Sequence, residues 1–95
     1  MIKAVYQVDF APRVEKQLEK IPKNIRNLIV EKIENLATNP RPSNVEPLHG
    51  KDDGLFRIRQ GDYRIVYSIQ DYQLLVLIVR VAHRKEVYTK KHSYH

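Results

Sequence analysis

A chain of 95 residues, 42% hydrophobic and 29% charged, has room for one compact domain over residues 1–95 and for one core. With no cysteine, it has no disulfide framework, no thiolate metal site and no cysteine nucleophile, and its longest apolar run, residues 74–79, is far short of the ~20 residues that span a bilayer. Met1-Ile2-Lys3 opens no signal-peptide core, so a soluble cytoplasmic protein without membrane contact is expected, and a formal charge of +6 points to nucleic acid or an acidic protein as partner.

Residues 5–10 are rich in strand formers and read as a first strand, stopped by Ala11-Pro12. Proline suits a first helical turn, and Phe10, Val14, Leu18 and Ile21 recur at helical spacing, which predicts a short helix ending near Pro22. A second helix follows, with Ile25, Leu28, Ile29, Ile33 and Leu36 on one stripe, and Asn39-Pro40 closes it. Residues 41–53 read as a loop pinned to the core by Leu48. Two strands, 55–60 and 63–70, flank the turn dipeptide Gly61-Asp62, and a third, 74–81, is apolar enough to be central to the sheet. The order strand, helix, helix, three strands predicts an α+β domain: one sheet, with a three-stranded antiparallel meander and the helix pair packed on one face.

A two-residue turn at Gly61-Asp62 fixes the hairpin register. Gln60 then faces Tyr63, Arg59 faces Arg64, Ile58 faces Ile65, Arg57 faces Val66 and Phe56 faces Tyr67. Phe56, Ile58, Tyr63, Ile65 and Tyr67 fall on a core face, and Arg57, Arg59 and Arg64 on the other. Like charges directly opposed in a sheet are unfavourable, and a bound anion gives Arg59 and Arg64 a reason to be there. Guanidinium groups recognise phosphate bidentately and stabilise the charge that grows on phosphorus during transfer. The plainer reading is a solvated basic face neutralised by Asp52, Asp53 or Asp62.

After the last strand come His83, Arg84, Lys85 and Tyr88, residue types that move protons, bind phosphate or stack on bases. Gly-rich phosphate loops, zinc-spaced histidines and a nucleophile-elbow serine are absent from the sequence, and Asp52-Asp53 reads as turn-forming, so neither a metal nor a cofactor is expected. The face of Arg80 depends on the length of the turn at residues 70–73 and stays open.

The run Leu55-Phe56-Arg57-Ile58-Arg59-Gln60-Gly61-Asp62-Tyr63-Arg64-Ile65-Val66-Tyr67, followed by Val81-Ala82-His83-Arg84-Lys85-Glu86-Val87-Tyr88, resembles the RelE branch of the RelE/ParE toxin superfamily. The resemblance covers essentially the whole chain. It implies a RelE-like, microbial-RNase-like fold and the toxin of a type II toxin–antitoxin system, which cuts messenger RNA in the ribosomal A site by attack of a ribose 2′-OH on the neighbouring phosphate. By motif, Arg57 and Arg59 contact the phosphate, Arg64 stabilises the transition state, Arg84 adds a cation and Tyr88 stacks on or orients the base. The best-known members carry lysines where this chain has Arg57 and Arg59, and arginine is a poor general base. His83, with Tyr88 as the alternative, is therefore expected to move the proton. The resemblance also implies an acidic, partly disordered RelB-like antitoxin in a hetero-oligomer, docked on exposed apolar positions of the helix pair. Two rivals share the sequence features: a ParE-like inhibitor of DNA gyrase without nuclease activity, and a basic binding module without catalysis.

Overall fold

The computed structural model describes residues 4–85. Strand β1 (Gln7–Phe10) leads into helices α1 (Pro12–Glu19) and α2 (Lys23–Asn35). Strands β2 (Glu46–Pro47), β3 (Leu55–Gln60), β4 (Tyr63–Gln70) and β5 (Leu75–His83) follow. They form one mixed sheet in the order β1-β5-β4-β3-β2, with β1 parallel to β5 and the other pairs antiparallel. The expected α+β class and meander are present, and residues 46–47, within the expected loop, add a short strand, β2, to the sheet edge.

Pro12 occupies the first turn of α1, where its missing N–H costs nothing. Val14 from this helix is fully buried, and Gln17 turns toward the sheet, its Oε1 accepting the Val81 N–H at 2.8 Å where β1 no longer covers β5. Helix α2 buries Ile29, Ile33 and Leu36. Leu28 is 52% exposed instead, because at 3.6 residues per turn it lies roughly a quarter-turn round from the centre of that stripe. The helix ends at Asn35, earlier than Asn39-Pro40 suggested: the chain turns so that the Ala37 carbonyl can accept the Tyr6 N–H, which also delays the start of β1 to Gln7.

The core lies between the helices and one face of the sheet, where Val14, Ile29, Ile33 and Leu36 meet Ile58, Ile65, Tyr67, Val76, Ile78 and Val81. Tyr67 is wholly buried, and its hydroxyl donates to the Pro40 carbonyl at 2.8 Å, satisfying the one polar atom it takes inside. Burial pushes its phenol up to about 12. Val45, not Leu48, ties the loop after α2 to this core; Leu48 lines the opposite face, among the arginines.

Strand β5 carries a bulge. Val66 pairs with Arg80 but Tyr67 pairs with Ile78, so Val79 is the extra residue. Because side chains alternate, one inserted residue exchanges the faces of all that follow. Ile78 and Val81 both reach the core, and Arg80 and Ala82 go to the other side.

Candidate phosphate-binding face

The hairpin adopts the register its turn dictates: Gln60 opposes Tyr63, Arg59 opposes Arg64, Ile58 opposes Ile65 and Arg57 opposes Val66. Gly61 sits at φ +59, a conformation that costs glycine nothing and other residues strain. Its tight turn holds Arg57, Arg59 and Arg64 together on the face away from the helices. The bulge brings Arg80 there as well, opposite Val66. Arg84 joins them from just beyond β5, its N–H bonded to the Asp62 carbonyl at 2.9 Å. Five guanidinium groups thus share one surface.

Their counter-ions are unevenly distributed. Glu46 on β2 stands directly across from Arg57 and accepts a hydrogen bond from it at 3.0 Å. Asp52 approaches Arg80 at 4.0 Å and Asp62 approaches Arg84 at 3.9 Å, both at the outer limit of an ion pair. Arg59 and Arg64 have no carboxylate within 4.0 Å among the described residues, although they face each other across the strands. Neutralisation by neighbouring carboxylates therefore accounts for only part of the cluster, and Asp53 takes no part in it.

Arg57 lies deeper than Arg80 and Arg84, its side chain 24% exposed against 35% and 61%. Its Nε is enclosed and has no hydrogen-bond partner among the described residues. A buried donor without an acceptor calls for an explanation, and an anion oxygen at this point supplies one. Glu46 registers the same field: the hydrogen bond from Arg57 first, then the charges of Arg57, Arg59 and Arg64, hold its carboxyl below the usual carboxylate range.

His83 does not join this assembly. It pairs with Tyr63 at the ends of the two strands, and their rings meet edge to face with centroids 5.1 Å apart. Tyr63 belongs to the core side of the hairpin, and His83 lines a recess there with Gln17, Lys20 and Ile21. The bulge is the physical reason, since strict alternation would have sent His83 to the arginine face and Arg80 to the core. His83, expected to move the proton, thus stands on the opposite face of the sheet from the arginines. Tyr88 lies outside the described residues. Two residues the sequence reading did not assign, Glu46 and Arg80, stand within the cluster. No group of three or more metal-ligating side chains occurs among the described residues. No helix of the described residues is long and apolar enough to cross a membrane.

A basic, mixed-sheet domain with its cations gathered on the open face of a β-hairpin is the class defined by fold and site. The model for the ParE toxin of type II toxin–antitoxin systems matches residues 8–88, and the chain belongs to that family. A curated relative, Toxin RelG of Mycobacterium tuberculosis, is 34% identical over 86 residues, covering 90% of this chain and 98% of its own. The mRNA interferase toxin RelE of Escherichia coli K12 is 28% identical over 88 residues, covering 90% and 92%. Among solved structures, the toxin–antitoxin complex RelBE2 of Mycobacterium tuberculosis superposes with a TM-score of 0.76 at 34% identity, covering 83% of this chain and 98% of that one. The protein is a RelE-type toxin of a type II toxin–antitoxin system.

Proposed function

We propose that this toxin cleaves messenger RNA on the ribosome, without a metal, and so arrests translation in the cytoplasm. The observation that carries the reading is the pairing of Arg59 with Arg64 across the hairpin, with no carboxylate within 4.0 Å of either among the described residues, beside the enclosed Nε of Arg57, which has no partner among them. Such an arrangement is costly in a resting protein and favourable around a phosphate. The name of the Escherichia coli relative, an mRNA interferase, points the same way.

In the proposed reaction Arg57, Arg59 and Arg64 grip the scissile phosphate, with Arg84 as a further cation at the rim. The ribose 2′-oxygen attacks phosphorus, a 2′-O–P bond forms and the P–O5′ bond breaks. Guanidinium groups stabilise the charge on the phosphoryl oxygens but do not accept the 2′-OH proton. Among the described residues Glu46 makes the shortest carboxylate contact with the cluster, 3.0 Å against 3.9 and 4.0 Å for Asp62 and Asp52, and on this reading it takes that proton, while the departing 5′-oxygen is protonated by water. Tyr88 is assigned the stacking role that the family motif implies. The products are a 2′,3′-cyclic phosphate and a 5′-hydroxyl. Cleavage that leaves these ends supports the mechanism; 5′-phosphate ends would contradict it.

The partner is a RelB-like antitoxin with an acidic, partly disordered segment, in keeping with the complex in which the similar structure is found. A net charge of +6 and the exposed Leu28 on α2 give such a segment both electrostatic and apolar purchase.

A further inference from the structure

The arginine face carries two recesses, not one. The smaller, about 50 Å³, lies between Arg59, Arg64 and Arg84. The larger, about 160 Å³, is rimmed by Arg57, Arg64 and Arg80, with Asp52 beside them, and lined by Leu48, Val66 and Ala82. Arg64 belongs to both. Arg80 is brought there by the β5 bulge, at the cost of regular pairing, and its one carboxylate neighbour among the described residues, Asp52, stays 4.0 Å away. Devices of this kind recur beside functional sites because they re-aim one side chain.

Adjoining recesses with a shared guanidinium match consecutive phosphates on one strand, whereas a lone anion needs only the first. The apolar lining of the second recess suits the carbon face of a ribose, which a bare phosphate does not possess. Resting on the nuclease reading above, we propose that the Arg57–Arg64–Arg80 recess is a nucleotide subsite next to the cleavage position. Arg80 binds the neighbouring phosphate of single-stranded RNA, and Leu48, Val66 and Ala82 receive its sugar. Arg80 is thus a positioning residue: it fixes the register of the strand over the grip that performs the chemistry. The loose Asp52 contact keeps it near the subsite and yields when RNA arrives.

The test uses the full chain and a non-cleavable 2′-O-methyl tetranucleotide, titrated at several salt concentrations against wild type, Arg80→Ala, Arg80→Lys and Asp52→Asn. Arg80→Ala is expected to weaken binding about tenfold and to lower the log–log salt slope by about 0.7, the value for one single-strand phosphate. Arg80→Lys should recover most of the slope. On programmed ribosomes Arg80→Ala should raise the apparent KM about tenfold while lowering kcat less than about threefold. Asp52→Asn should bind as tightly as wild type or more so, because it releases Arg80. If Arg80 only anchored the loop at residues 50–53, Asp52→Asn would reproduce the loss seen in Arg80→Ala, and the subsite would be disproved. Unchanged affinity and slope in Arg80→Ala, with binding still abolished in Arg64→Ala, would overturn the subsite and leave the nuclease reading standing. Failure of wild type to bind the oligonucleotide or to cut RNA on ribosomes would overturn both.

Discussion

At the scale of single residues, the proposed chemistry depends on which group can accept a proton at the arginine face. Glu46 is held in its charged form by Arg57, and below the usual carboxylate range it stays deprotonated through neutral pH. Glu46→Gln is therefore expected to slow single-turnover cleavage by roughly 10²-fold or more, a common cost of losing a general base. His83→Gln should leave both the rate and its flat profile between pH 6 and 8 intact, where an imidazole base would titrate. A rate that falls tenfold in His83→Gln but holds in Glu46→Gln would reverse the assignment. A second carboxylate, Asp71, has a structural part. Arg41 bonds it through both amino groups, at 3.2 and 2.8 Å, and the Tyr6 hydroxyl donates to it at 2.6 Å, so the loop after α2, the turn before β5 and the segment before β1 are tied together. The Arg41 and Tyr6 hydrogen bonds pull its carboxyl down to about 2 from an ordinary 3.8. A depressed folded-state value means the stabilisation is present above the unfolded value and lost as pH falls through the folded one. Asp71→Asn should lower the Tm at pH 7, and its deficit relative to wild type should close between about pH 4 and pH 2. A deficit that persists unchanged at pH 2 would show that the contact acts through packing instead.

At the scale of elements, the hairpin decides what the site can be. Gly61 at φ +59 lets two residues reverse the chain, and that short turn sets every cross-strand pair down to Phe56 and Tyr67. Gly61→Ala places a Cβ in the left-handed region and should cost about 1 kcal/mol of stability, seen as a lower urea midpoint at unchanged slope. An unaltered midpoint would mean the turn can be remade without strain. The hairpin and its arginines were legible in the sequence because a turn dipeptide and strict alternation determine a register between them. Arg80 and His83 were not, since a bulge exchanges the faces of the residues beyond it and leaves no periodic trace in an apolar run. Glu46 was hidden for a different reason: β2 is two residues long, too short for any period, and its carboxylate gains meaning only from lying opposite Arg57 eleven residues on. The helices agree with the sequence pattern in number, and Val14, Ile29, Ile33 and Leu36 are buried as their spacing predicts. Leu28 and the early end of α2 were misjudged because helical spacing marks a stripe more broadly than the sheet actually covers it.

On the scale of the whole molecule, the division of labour follows the sheet. The helices and the large buried side chains lie on one side and supply stability, while the opposite side, uncovered by any helix of the described residues, gathers like charges that oppose folding. On the proposed reading, an acidic antitoxin segment or an RNA strand would relieve that repulsion. The most direct measurement is to express the chain in a cell-free translation system and map the 5′ ends of the message by primer extension, with Arg64→Ala alongside. The account requires new ends inside codons that depend on ribosomes and fall by roughly 10²-fold or more in Arg64→Ala, the scale of losing one transition-state contact. Intact message with translation unaffected would contradict it and would direct attention to gyrase as the target.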